Sequence, residues 1–175
     1  MKATKAELAR IAEEMALLPF HGNTDGRGSN IAPLIAPFPK WNVNAADGCW
    51  CAAFVYYCCI SAGFEIPYSP DECISCSLAG CGGWDEYAQG DNRIGYYKGT
   101  EAFSPDSGDI VIFDRVFCCK EHDHIGIVLK STGTKLITAE GNVENRSEIV
   151  TRCRDEHIRA FIRFPDGYKY YSNIK

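Results

Sequence analysis

Asp123-His124-Ile-Gly-Ile-Val-Leu-Lys130, then Ser131-Thr-Gly133, then Leu136-Ile-Thr-Ala-Glu140, reads as strand, tight turn and strand. Aliphatic and β-branched residues fill both runs, and small polar residues separate them, which predicts an antiparallel hairpin. With the turn centred near Thr132, Leu129 faces Lys135, Gly126 faces Thr138 and His124 faces Glu140. Directly opposed residues share one face of a sheet with Cβ atoms about 4.5–5.5 Å apart, so this register sets an imidazole beside a carboxylate. Such a pair is either an exposed ion pair of little energetic weight or the oriented base of a catalytic triad. Asn142 lies two residues on and shares that face if the strand continues. There its amide could polarise the site or donate to an oxyanion.

Working outward, residues 109–114, 148–153 and 158–164 are further short β-favouring runs, whereas the first third of the chain reads as helical. Leu8, Ile11, Ala12, Met15 and Leu18 recur at helical spacing within residues 3–19, and a second helix runs over about residues 50–62 until Gly63 stops it. Pro33, Pro37 and Pro39 keep the intervening stretch extended or irregular. Residues 66–108 are rich in Pro, Gly, Ser and Cys and predict at most short helical pieces, and Tyr168 to Tyr171 read as a loosely ordered tail. Helices first and antiparallel strands afterwards predict a single α+β domain over residues 1–175, with helices packed on a central sheet. Within it, residues 1–44 form an N-terminal helix and loop, 45–164 the core and 165–175 the tail.

A thiol becomes a useful nucleophile when its thiolate is stabilised, and a helix N-terminus with a nearby imidazolium does this. Cys51 stands at the start of the second helix, and His124 is the histidine whose strand neighbours Ile125 and Ile127 anchor it; His122, two residues earlier, is the competing base. The chain holds ten cysteines, and taking one as a nucleophile leaves an odd number, which argues against a complete disulfide framework. Cys73-x2-Cys76-x4-Cys81, with Cys118 and Cys119, is half of a zinc knuckle with an irregular remainder, and packed thiols explain it more simply. Trp50, Trp84 and Tyr87 could line a substrate groove, with Tyr96 and Tyr97, or simply pack in core and loops. Asp109 reads as a turn-forming residue. The net charge of −5 without a basic run argues against nucleic acid as a primary partner, and no apolar run is long enough to insert in a membrane. Glu7, Arg10, Glu13 and Glu14 interrupt what a signal peptide would need, so synthesis in the cytoplasm is expected.

Taken in order, these segments resemble a known family. Trp50-Cys51-Ala-Ala-Phe-Val-Tyr-Tyr-Cys58 looks like the nucleophile motif of CHAP domains, the cysteine, histidine-dependent amidohydrolases/peptidases. Ser104-Pro-Asp-Ser-Gly-Asp109-Ile-Val-Ile-Phe113 is similar to the family's Pro-x-x-Gly-Asp strand, Asp123-His124-Ile-Gly-Ile-Val128 to its histidine strand, and Glu140-Gly-Asn142 to its acidic-plus-amide pair. Order and spacing agree over residues 45–164, and the N-terminal helix resembles the leader helix of some phage and prophage lysins. The related NlpC/P60 family is a poorer match, since its nucleophile is usually followed by Ser-Gly.

The resemblance implies a papain-like fold with Cys51 as nucleophile, His124 as base, and Glu140 and Asn142 in support. It implies a peptidoglycan amidase or endopeptidase working through an acyl-enzyme, with bacterial peptidoglycan as partner, acting as a monomer on the cell wall after release. No cofactor is required. Some members bind calcium just before the nucleophile, but here that stretch reads Asn42-Val-Asn44-Ala-Ala-Asp47, short of carboxylates for a Ca2+ site. The sequence shows no recognisable wall-binding module. Two other readings stay open: a papain-like protease or deamidase acting on proteins, and a non-enzymatic cysteine-rich metal-binding module.

Overall fold

The computed structural model describes residues 2–23 and 26–172. Its helices are α1 (Lys5–Leu17), α2 (Ala32–Ile35), α3 (Val43–Ala46), α4 (Cys51–Ser61) and α5 (Cys81–Gly90). Its strands are β1 (Gly95–Lys98), β2 (Ile110–Phe113), β3 (His124–Ser131), β4 (Lys135–Val143), β5 (Arg146–Cys153) and β6 (Ile158–Arg163). They form one six-stranded antiparallel sheet in the order β1-β6-β2-β3-β4-β5, so β6 returns to lie between β1 and β2. The class is α+β, as the order of helical and strand patterns predicts.

α4 is the pivot of the packing. It is apolar on every side, and residues Cys51 to Tyr56, Cys58 and Cys59 are all buried, the signature of a helix enclosed by other elements. α1, α2, β3 and β4 all pack against it, and α1 also lies on β3, β4 and β5. It ends in a Schellman turn: Gly63, at φ +88°, donates to the Ile60 carbonyl, and Phe64 donates to that of Cys59. α1 starts behind Thr4, whose hydroxyl accepts the Glu7 N–H, and buries Leu8, Ala9, Ala12 and Ala16.

The two faces of the sheet are unequal. Ile125, Ile127 and Ala139 point to the helices, whereas Val111, Phe113, Val128, Leu136 and Phe161 form a smaller cluster on the other side. By alternation along the strands, His124 and Glu140 belong to the smaller side.

The hairpin register differs from the sequence expectation. Gly126 pairs with Glu140 and Val128 with Thr138, while Ser131 pairs with Leu136 across the turn, and an irregularity at Leu129 absorbs one residue. His124 is therefore displaced by two residues from direct opposition to Glu140. A slip of one would have sent the two side chains to opposite faces, whereas a slip of two keeps them together.

Three other expectations need correction. Residues 66–108 hold a full helix, α5, and the edge strand β1. Gly82 and Gly83 conceal α5 in the sequence because glycine disfavours helix interiors. At Gly83 the glycine is required, since a Cβ would lie 2.4 Å from the Ser77 carbonyl oxygen. In the first third, Pro33 sits in the opening turn of the short helix α2, where proline is tolerated. The segment read as a loose tail is fastened as far as the described residues extend. Tyr168 is buried with its hydroxyl against Tyr87 and Asp91, Tyr170 donates to the Glu65 carbonyl, and Gly167 donates to that of Ala3. Residues 173–175 lie outside the described residues.

Gly141 marks the closest approach of β4 to α4: a Cβ there would stand 2.5 Å from that of Phe54 and 2.9 Å from the Trp50 ring. Gly141→Ala is accordingly expected to destabilise the fold by about 1–3 kcal/mol through overpacking. Urea denaturation would show this as a lower midpoint with an unchanged slope, and an unaltered midpoint would mean that helix and strand separate without cost.

Candidate active site

Cys51 is the first residue of α4 and His124 the first of β3, and both are buried. Opening their elements is what lets them meet. A thiol at the head of the helix reaches the imidazole around the end of the sheet, although His124 belongs to the strand face turned away from the helices. Trp50, which precedes α4, makes no side-chain cap, and the Ala52 N–H at the helix start serves the thiol.

Glu140 organises the other side of the ring. Its Oε2 accepts from His124 Nε2 at 2.7 Å and from Arg152 Nη2 at 2.6 Å. Its Oε1 accepts from Thr138 Oγ1 at 2.6 Å and Arg152 Nε at 2.9 Å. With Nε2 committed to the carboxylate, Nδ1 is the ring nitrogen left to face Cys51. The Phe117 ring meets the imidazole edge-on at 4.8 Å, and the Arg152 guanidinium lies over Phe113 and Phe117.

The electrostatics follow from this order. Burial works against an ionised Glu140, but Arg152 and His124 prevail and hold its carboxyl down at about 2. Burial likewise works against a charged imidazole, but Cys51 and Glu140 prevail and raise His124 to about 9. The Cys51 thiol is lowered well below its ordinary range by a hydrogen bond from Cys81, by His124 and by the Ala52 N–H, against the opposing effect of burial. The resting site is a row of alternating charges: thiolate, imidazolium, carboxylate, guanidinium. That is the protonation state in which a cysteine nucleophile is ready to attack.

The remaining expected residues divide. Asn142 does not reach His124. Strand pairing breaks between Glu140 and Val143, Asn142 adopts φ +65°, and its Nδ2 donates to the Gly48 carbonyl at 2.9 Å, tying β4 to the loop ahead of Cys51. Trp50, Trp84 and Tyr87 do not line a groove: all three are completely buried in the core. Their polar ends are used internally, on Asn145, the Leu78 carbonyl and Tyr168 respectively. Trp41 and Tyr68 instead border a cleft, with Lys40, Cys76 and Gly80; it measures about 480 Å³ and stops one residue short of Cys81. His122 is separate from Cys51 and contacts Asp85, which also accepts from Tyr96 and Arg159. Asp109 closes its turn by accepting the Asp106 N–H and is gripped by Arg163.

Asn42 caps α3, and Asp47 accepts from the Asn23 N–H and from Asn145. These groups tie loops together, which does not fit a calcium site, and among the described residues no three His, Cys, Asp or Glu side chains converge on a metal position. Three contributors went unforeseen: Arg152, Thr138 and Cys81. A buried carboxylate demands a cation, and Arg152 on the neighbouring strand was the available signal for one.

Three outcomes follow. His124→Ala should raise the pH at which Cys51 becomes half-reactive towards iodoacetamide by at least about one unit, because the stabilising cation is gone. In the wild type, the ionic contribution of His124 to folding is complete below its ordinary 6.5 and is lost as pH rises through about 9. That of Glu140 is complete above its ordinary 4.5 and is lost as pH falls through about 2. Arg152→Met, which strands a buried carboxylate, should cost on the order of 3–5 kcal/mol at neutral pH, and adding Glu140→Gln should restore part of the loss. Additive losses in that double-mutant cycle would show that the two groups are not coupled.

Residues 41–142 match the CHAP domain model, a span that contains Cys51, His124, Glu140 and Asn142. No curated protein matches the chain. In fold the chain is similar to the crystal structure of Ly7917, with a TM-score of 0.51 and 14% identity over 93% of this chain and 62% of that one. It thus spans less than two thirds of that chain's length. The family match covers more than half of the sequence. The chain belongs to the CHAP-domain family and so to a group of hydrolases of the amidase and peptidase kind.

Proposed function

We propose that this protein is a cysteine amidohydrolase with a papain-like fold that cuts amide bonds in bacterial peptidoglycan, as an N-acetylmuramoyl-L-alanine amidase or an endopeptidase. The observation that carries the chemistry is the buried Cys51–His124–Glu140 row backed by the partly exposed Arg152. The Cys51 thiolate attacks the amide carbonyl, and the oxyanion is met by N–H groups at the start of α4. The imidazolium of His124 gives its proton to the departing amine, leaving a thioester on Cys51. Neutral His124 then takes a proton from water as it attacks the thioester, and the acid product leaves as the thiolate–imidazolium pair is restored. Glu140 stays ionised throughout and keeps the ring oriented. Every step uses side chains or backbone N–H groups of this chain, with no cofactor. The choice of peptidoglycan rests on the family.

The test is product analysis by mass spectrometry after incubating wild type or Cys51→Ala with peptidoglycan of several chemotypes. Release of peptides or new amino termini by the wild type, with at least a 10²-fold loss in Cys51→Ala, is expected and identifies the bond. Release that survives in folded Cys51→Ala would remove Cys51 from the mechanism. Intact peptidoglycan with a Cys51 that alkylates at neutral pH would move the substrate to proteins.

A further inference from the structure

Cys81 opens α5 as Cys51 opens α4, and the two Sγ atoms lie 3.7 Å apart in the interior. The other members of the Cys73–Cys81 cluster are engaged elsewhere: Cys73 donates to the Gly83 carbonyl, and exposed Cys76 accepts the Gly83 N–H. Cys81 alone turns toward the nucleophile. Both thiols are free.

We propose that Cys51 and Cys81 form a dithiol oxidation site in which a hydroperoxide is the oxidant and Cys81 the resolving thiol. The Cys51 thiolate attacks the peroxide O–O bond, forming an S–O bond, and becomes the sulfenic acid as alkoxide or hydroxide departs. Cys81 then attacks that sulfur, its thiol proton leaving with the hydroxyl as water, and the S–S bond closes. Two electrons have passed from the thiol pair to one peroxide, and an external dithiol returns them by exchange. Closing from 3.7 Å to a bond of about 2.05 Å needs less than 2 Å of side-chain movement.

The roles are unequal, as a nucleophile and a resolving group must be. Cys51 is the lowered thiol, while Cys81 is raised, first by the hydrogen bond to Cys51 and then by burial. When Cys51 becomes a neutral sulfenic acid, the anion that keeps Cys81 protonated disappears, which frees Cys81 to attack. The disulfide holds the nucleophile in a reversible state. Without Cys81, a second peroxide carries Cys51 to the sulfinic acid, which thiols do not reduce.

This inference rests on Cys51 being the reactive thiolate, so it is tested by mass and not by wall lysis. The reduced full chain is treated with hydrogen peroxide, blocked with N-ethylmaleimide, digested and mapped. The expected result is a Cys51–Cys81 linked peptide in the wild type, with alkylation of Cys51 recovered after dithiothreitol. Cys81→Ser, or Cys81→Ala if the serine variant does not fold, should give sulfinic Cys51 and at least about a tenfold lower recovery. Cys76→Ser should leave the link in place. Sulfinic Cys51 in the wild type without a link, or a Cys76–Cys81 link with Cys51 still alkylatable, would overturn the proposal. A Cys51 inert to both peroxide and alkylator would overturn the nucleophile assignment along with it.

Discussion

A carboxylate completely removed from water is the constraint around which this molecule is arranged. Glu140 has no exposed side-chain surface, yet it carries its charge because four donors from three residues fill its acceptor sites. Desolvating such a group without partners would cost several kcal/mol, and the usual escape is to take up a proton. Here the guanidinium of Arg152 removes that escape, and the fixed negative charge then holds His124 as imidazolium beside Cys51. The lowering of the thiol therefore begins three contacts away from it, at an arginine on β5 that contributes no chemistry of its own.

The same constraint explains the glycines and the polar details nearby. Gly126 lies opposite Glu140, and a Cβ there would come within 2.8 Å of the Glu140 Cγ, so the strand leaves room for the carboxylate. Gly141 lets α4 approach β4, which brings the thiol to the end of the sheet. Asn142 and Asn145 then fasten the end of the hairpin to the loop before Cys51, through the Gly48 carbonyl and through Asp47 and Trp50. Cys51 and His124 come from distant parts of the chain, and this stitching keeps them in one frame.

Cys51 and His124 were legible because their chemistry and their positions at the starts of elements agree. Glu140 was legible through parity alone: the turn was misplaced, but by two residues, and period-two alternation tolerates that. Arg152 escaped notice because its backbone partner is Leu136, and only the length of its side chain carries the guanidinium to Glu140. Asn142 could not be placed from the pattern, since a positive φ at a break in pairing turns its side chain out of the strand rhythm. Trp50, Trp84 and Tyr87 were misread because residue type does not distinguish an aromatic floor from an aromatic wall. Cys81 depended on α5, whose diglycine start resembles a loop.

The irregularity at Leu129 separates the hairpin into two regimes. Residues 126–128 and 138–140 keep the register that matters to Glu140, while the tip from Thr132 to Lys135 is exposed and answers to a different offset. The tip and the stretch beside the carboxylate are thus paired in separate registers, with the bulge between them. That gives the hairpin a place where relatives could diverge, or where a reporter segment could be spliced in, while the chemistry a few residues away keeps its alignment.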